Sequence, residues 1–348
     1  MNIVESSISS ESLPSLFEEK AKIRTVTEIP KKDSKKLTNK SVSTLSTTAN
    51  SVISLVPTPT PVLTLSFMER ENSTIILNYG ADAYRDLIKL EQTIIFPANF
   101  LKRHSIESHY RTKIVDWMME VVHAFNCESE TIFLSVSIMD LFLNQVKSKV
   151  AKELLHLICS TSIYMASKME DIMPISVNSV VNKILHNKYS NKKIVEMERT
   201  IFKTISFNVV LVSPYEFIKT YIFDFTHNNE NKINKLKMAN HLSNLENVSI
   251  FMAKLMLHDE SFSEYKSSAR AIACMTFGFD ALRTNSKNLT SEMEGLIKKW
   301  LIFLVKESEH KQENISIIYN KINDNYNNFE KLSFINGNII NAHKLVYD

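Results

Sequence analysis

From Ala151 to Met169 the chain reads AKELLHLICSTSIYMASKM, a run that is apolar or small nearly all the way round. A helix of about 3.6 residues per turn built from such a run has no wet face. It is expected to be a buried axis about which other helices pack. The stretches before it supply two of those. In HYRTKIVDWMMEVV, Ile114, Trp117, Met118, Val121 and Val122, followed by Phe125, recur at helical spacing. From Thr131 to Val146, Ile132, Val136, Met139, Phe142 and Leu143 form a second apolar stripe. Arg111, Asp116 and Glu120 are set among the apolar residues of the first stretch. Charges beside a buried face need partners, because an unpaired buried charge is costly. With only 4 Gly and 8 Pro in 348 residues, tight turns are scarce, and an all-β or glycine-loop architecture is excluded. The length suits one large domain or two of ordinary size.

Beyond the axis, Pro174 ends the helical path and Val177–Leu185 reads as a short fourth helix. Ser190 is placed to cap a fifth, running to about Ile205. Ser213 then caps a second set, with Pro214 at the first helical position. Its helices are expected at about Pro214–Asp224, Ile233–His258, Phe262–Leu282 and Leu289–Lys306. The third, with Ala269, Ala271, Ala273 and Gly278, is small-residue rich and is the expected axis of this second set. No helix reads between Thr284 and Leu289, which leaves the second set trimmed. Ahead of both sets, YGADAYRDLIKLEQ puts Ala83, Leu87 and Leu90 on one helical face. The linker IIFPANFLKRHSIES, broken by Pro97, follows. Residues 1–70 are rich in Ser, Thr and Lys, contain the extended spacer VPTPTPV, and are expected to be a disordered tail. In that tail Thr58 and Thr60 each precede proline, and Lys31, Lys32, Lys35 and Lys36 cluster. The last residues, 335–348, read as an uninformative tail.

Chemistry is largely excluded. The four glycines at 80, 278, 295 and 337 are scattered, so no loop cradles a phosphate. There is no HRD, no DFG and no nucleophile elbow. Cys127, Cys159 and Cys274 are widely spaced and fit no metal pattern, as expected in a reduced intracellular compartment. No apolar run reaches the length of a membrane span, and the N-terminus lacks the basic-then-apolar order of a signal peptide. The enzyme alternative is a metal-dependent phosphohydrolase of the HD type, built on His227, His241, His258, Asp259 and Asp280. Against it, His258 and Asp259 also read simply as the end of a long helix, where a histidine suits the negative helix terminus.

Five blocks carry a resemblance: RTKIVDW from Arg111, SIMDLFL with Asp140, LLHLICSTSIYMASKMEDI with Leu157 and Lys168, IVEMERTIF with Glu198, and ISFNVVLVSPYEF. In order and spacing they resemble the cyclin box of mitotic cyclins of the A and B types, over roughly Tyr79 to Phe334. The resemblance implies an all-α fold of tandem cyclin-box repeats, two five-helix bundles over 107–212 and 213–334. A helix and linker over 79–106 precede them. It also implies a regulatory subunit that binds and allosterically activates a cyclin-dependent serine/threonine protein kinase, with no catalytic residue and no cofactor. Nucleus and cytoplasm are the implied location.

In that family the residues matching Lys168 and Glu198 bond the backbone of the kinase's mobile C-helix. Met165, Met169, Asp171, Ile172, Phe202 and Phe207 would form the bed around them. The substrate-peptide docking groove would fall on Tyr110, Lys113, Ile114, Trp117, Glu120, Leu155 and His156. Here the chain departs from the family. Tyr110 replaces methionine, Lys113 an aliphatic residue and His156 an amide, so Lys113 would repel the basic residue of a basic-x-leucine peptide. Arg111, Asp116, Asp140 and Leu157 are expected to be structural, the arginine lying between the two carboxylates. A second alternative is a cyclin-fold transcription factor. Such proteins present a strongly basic face, whereas 41 basic and 38 acidic residues are interleaved here for a net charge of +3. No direct nucleic-acid or membrane partner is therefore expected.

Overall fold

The computed structural model describes residues 84–91, 97, 100–104, 106–286, 288–308, 310 and 312–327. The chain divides into 1–63 and 64–348, and every described residue belongs to the second unit. The expected tail over 1–70, with Thr58, Thr60 and the lysine cluster, lies outside the described residues, as do Ala83 and the tail over 335–348.

The described residues are helical, with no strand among them. Helix α1 covers 84–91. The first set is α2 (Ser108–Ala124), α3 (Ser129–Gln145), α4 (Leu155–Glu170) and α5 (Asn191–Thr204). Between α4 and α5 a short helical turn, Val177–Ser179, runs directly into a π-helical turn, Val180–Ile184. The buried axis is α4, as its composition requires: α2, α3, α5 and the π-turn all pack on it. Leu157, Ile158, Cys159, Ile163, Met165 and Ala166 are sealed from solvent. Small polar residues survive inside because they bond back along the helix, Ser160 Oγ to the His156 carbonyl and Thr161 Oγ1 to that of Leu157, each at 2.7 Å. The regular helix starts at Leu155 rather than Ala151, since Lys152–Leu154 forms a tighter 3-10 turn.

The second set is α6 (Pro214–Asn228), α7 (Glu230–Leu236), α8 (Ala239–Met256), α9 (Ser267–Asn285), α10 (Ser291–Glu307) and α11 (Gln312–Asn327). Its axis is α9, touched by α6, α8, α10 and α11, which repeats the arrangement around α4. At Gly278 the neighbouring helix comes so close that a Cβ would meet Ser249 Oγ at 2.9 Å and the Leu245 carbonyl at 3.2 Å. Small residues on this axis thus let α8 approach. Ser190 and Ser213 cap α5 and α6 as expected, and Ser213 with Glu216 forms a full capping box ahead of Pro214.

Four expectations are corrected. α6 runs past the expected end at Asp224 to Asn228, and α7 begins at Glu230, ahead of the expected start at Ile233. The helix expected from Ile233 to His258 is broken at Lys237, whose left-handed φ of 55° ends α7 before α8 begins. Glu260–Glu264 is a 3-10 turn, and α9 starts after it at Ser267. The second set is not trimmed: Thr290 caps α10, and α11 buries Ile315, Ile318 and Ile322 along one face.

Although α1 precedes the first set in sequence, it packs on the second. The Tyr84 ring meets Phe217 at 6.4 Å and Tyr221 at 5.8 Å, both on α6. The buried Glu91 carboxylate accepts the Ser268 N–H at 2.5 Å and its hydroxyl at 2.7 Å, closing the first turn of α9 with a negative charge. The same hydroxyl lies 2.7 Å from His310 Nε2. Nearby, burial pushes the Arg270 guanidinium down to about 10, and Glu91 opposes that shift.

Candidate functional site

Arg111 is buried in α2. Its Nε and Nη2 donate to the two Asp140 carboxylate oxygens on α3 at 2.9 and 2.6 Å, a bidentate pair out of reach of water. Its Nη1 donates to the Leu257 carbonyl at 2.8 Å, and Thr112 Oγ1 donates to that of His258 at 2.8 Å. Both are orphan carbonyls past the end of α8. Asp116 lies 3.6 Å from His258 Nε2, so it faces the second set where a second partner for Arg111 was expected. Leu157 is completely buried on α4. These residues build a seam between the two sets.

The C-terminal end of α4 differs in character. Lys168 Nζ pairs with Glu198 on α5 and lies 4.3 Å from the centre of the Tyr164 ring. The expected pair is therefore brought together across 30 positions of sequence. Around it large apolar side chains stand in water: Ile172 is 93% exposed, Met173 88%, Phe207 68% and Met169 46%. Phe207 stacks on the half-buried Phe202 with ring centres 5.7 Å apart. Ser206 and Phe207 both have positive φ, 53° and 59°, which turns the chain sharply after α5. Ser167 Oγ accepts the Ile175 N–H at 2.8 Å and fixes the far side of the loop.

Two members of the expected bed stand elsewhere. Met165 is fully buried, because it falls on the inward side of α4, and it supports the surface from beneath. Asp171 contributes no apolar contact. Its Oδ1 accepts the Glu128 N–H at 2.7 Å and the Thr131 hydroxyl at 2.8 Å, tying the end of α4 to the start of α3. Met173, next to Ile172, adds to the exposed apolar side chains of the loop and was missed, as was Val210, 56% exposed and three residues beyond Phe207. Their only sequence signal was an apolar residue beside a proline or in a short run.

The expected groove residues lie on α2 and the start of α4. Trp117 meets His156 edge-on at 4.5 Å. Lys152 Nζ stands 3.3 Å over the Tyr110 ring. Ile114 and Leu155 are buried and form packing beneath the groove rather than its open floor. Lys113 and Glu120 are half-buried. Burial, with Lys188 and His186 adding to it, pushes the His156 imidazole down to about 4, so it is neutral at physiological pH.

The histidines and acids of the phosphohydrolase alternative are dispersed. Asp280 accepts the Tyr319 hydroxyl at 2.9 Å, Asp259 caps the turn at Ser261, and His241 Nδ1 lies 3.3 Å from Ser286 Oγ. Among the described residues no group of three or more His, Cys, Asp or Glu stands close enough to hold a metal ion.

The cyclin N-terminal domain family matches residues 82–210, which span the Arg111–Asp140 pair and the Lys168–Glu198 pair. Over that segment the chain is similar to the cyclin family. It is similar to Cyclin-B2-2 of Arabidopsis thaliana, 29% identical over 213 residues, which cover 61% of this chain and 46% of that protein. It is similar also to the G2/mitotic-specific cyclin-B of Patella vulgata, 35% identical over 140 residues, 40% of this chain and 34% of that one. The chain thus spans less than half the length of these two relatives. Among solved structures, a viral cyclin from herpesvirus saimiri aligns over 70% of this chain and 97% of its own, at 15% identity and a TM-score of 0.49. The resemblance to mitotic cyclins read from the five sequence blocks agrees with these relatives.

Proposed function

We propose that this chain is a cyclin that binds a cyclin-dependent serine/threonine protein kinase and activates it allosterically, as a mitotic-type subunit working in nucleus and cytoplasm. The observation that carries the reading is the Lys168–Glu198 pair with large exposed apolar residues at the ends of the two helices that carry it, Met169, Ile172 and Met173 at the end of α4 and Phe207 after α5. Large apolar side chains in water mark a surface that a partner covers. The methionines suit an adaptable contact. An ammonium has three donors and a carboxylate two accepting oxygens, so both groups keep capacity for a partner's backbone while still paired. The buried Arg111 network keeps α2 and α3 rigid behind them. Activation then follows from differential affinity: a rigid surface that fits the kinase helix only in its active position shifts the kinase toward that state.

The test is the double variant Lys168→Ala, Glu198→Ala in a co-purification and kinase-activation assay. Charged groups bonded to backbone at a covered interface contribute about 1.5–3 kcal/mol each. Losing both should weaken kinase binding by two to four powers of ten, on the order of 3–6 kcal/mol. Helical content should stay as in the parent. Full activation by the double variant would remove the reading, and unfolding of the variant would make the pair structural instead.

A further inference from the structure

The geometry points to a second protein-docking face, on the outer side of α10, that takes an acidic amphipathic helix of a partner protein. It lies outside the segment 82–210 and does not depend on the Lys168–Glu198 reading. The inner side of α10 is fully used: Met293, Ile297, Leu301 and Leu304 are buried, and Trp300 meets Phe225 of α6 at 4.3 Å. Its outer side carries Gly295, Lys298, Lys299, Ile302, Phe303 and Lys306, which recur at spacings of three and four and so share one helical stripe.

Three properties of this stripe converge. First, Ile302 is 48% and Phe303 55% exposed, two large adjacent apolar side chains on a face that no described residue covers. Second, from Gly295 to Lys306 the stripe bears three lysines and no acid, Glu292 lying one turn earlier at its N-terminal end, and none of those lysines forms an ion pair among the described residues. The acids Glu292 and Glu294 stand in the first turn, where they suit the helix dipole. Third, Gly295 lies inside the helix although a Cβ there would meet nothing within 4 Å. A mid-helix glycine weakens a helix, and here nothing in the packing of the described residues requires one. It leaves a notch on the same stripe through which another backbone can approach closely.

Together these select the occupant. Carboxylates match the lysines, an apolar ridge matches Ile302 and Phe303, and a helix benefits from the notch because interaxial distance is set by side-chain size at the contact. A lipid surface has no backbone to use a notch. A nucleic acid would set phosphates against two exposed apolar side chains.

The test uses the full chain and a synthetic labelled helix of about twenty residues, roughly 30 Å long, with a leucine stripe flanked by glutamates. Fluorescence anisotropy should register binding that weakens with added salt. Ile302→Ser with Phe303→Ser should weaken it at least about tenfold, and Lys298→Glu with Lys299→Glu should do the same. Gly295→Ala has a signature of its own: the melting temperature rises while the peptide binds less tightly. Equal binding of a peptide with lysines in place of the glutamates overturns the proposal. So does failure of the acidic peptide to bind. Capture of phosphatidylserine vesicles or duplex DNA that is lost with Phe303→Ser, without peptide binding, replaces the partner helix with that ligand.

Discussion

The two axial helices end in opposite ways. The C-terminus of α4 opens on solvent, where Lys168 and Met169 are exposed and Ile172 and Met173 follow in a loop bare of cover. The N-terminus of α9 is closed by the chain itself: Glu91 of α1 caps it, Ser268 is fully buried, and Arg270 and His310 complete the network. Similar axes in similar surroundings thus serve different ends. Where the chain supplies its own partner the helix end is structural, and where it leaves apolar side chains uncovered the end is available to another molecule.

The largest effect should come from the scaffold behind the open end. Arg111→Ala leaves Asp140 buried without its cation, and such losses typically cost 3–5 kcal/mol. Denaturant unfolding should register most of that. The control is Lys168→Ala, which removes the exposed partner of a surface pair and should cost no more than about 1 kcal/mol. If the two variants unfold alike, the distinction between scaffold and open surface fails.

Titration should separate the sets next. In the first, the folded chain holds His156 down to about 4 by burial, so it refuses a proton that the unfolded chain accepts near 6.5. That contribution to stability is present above 6.5 and falls away as pH drops toward 4. In the second, burial pushes the Glu216 carboxyl up to about 6 against the opposing Ser213 bonds, so the folded chain keeps a proton that the unfolded chain releases near 4.5. Its contribution runs the other way, lost as pH rises from 4.5 through 6. Each shift corresponds to about 2–3 kcal/mol at most. His156→Gln and Glu216→Gln should therefore tilt the stability profile between pH 4.5 and 6 in opposite directions, which urea unfolding across that range will measure.

Smaller still is the seal on α9. Glu91→Ala removes the acceptor for two Ser268 donors and should cost about 1–3 kcal/mol, with faster amide exchange over residues 84–91 as the specific sign. Unchanged exchange there would mean that α1 is held by its Tyr84 and Leu87 packing alone. Last, Lys113→Leu should tighten binding of basic-x-leucine peptides by about 1 kcal/mol through apolar gain and lost repulsion. Isothermal titration with such a peptide would expose an unused groove by showing no change.

Much of this was legible in the residues. The all-round apolar run marks α4, serine caps mark α5 and α6, and the alanines with Gly278 mark α9. The errors have identifiable causes. On a helix apolar on every side, periodicity has no phase, so Met165 read as surface when it points inward. The break at Lys237 lacks the glycine that usually announces a left-handed residue. α11 hides its buried isoleucines among asparagines. Asp171 read as part of a binding bed because nothing local shows that its carboxylate reaches back to Thr131.

One consequence follows from Arg111 reaching the Leu257 carbonyl. A recognisable family segment need not coincide with a cooperative folding unit. Residues 82–210 contain donors and acceptors whose mates lie well past their end: Arg111 with Leu257, Thr112 with His258, Ser108 with Glu260, and Glu91 with Ser268. A fragment cut at 212 would expose the faces of α1 and α2 that these bonds now close. It would also leave part of the Arg111 charge unanswered. The two repeats should therefore melt in a single transition, and the shorter fragment should populate an expanded, loosely packed state rather than half of the native fold.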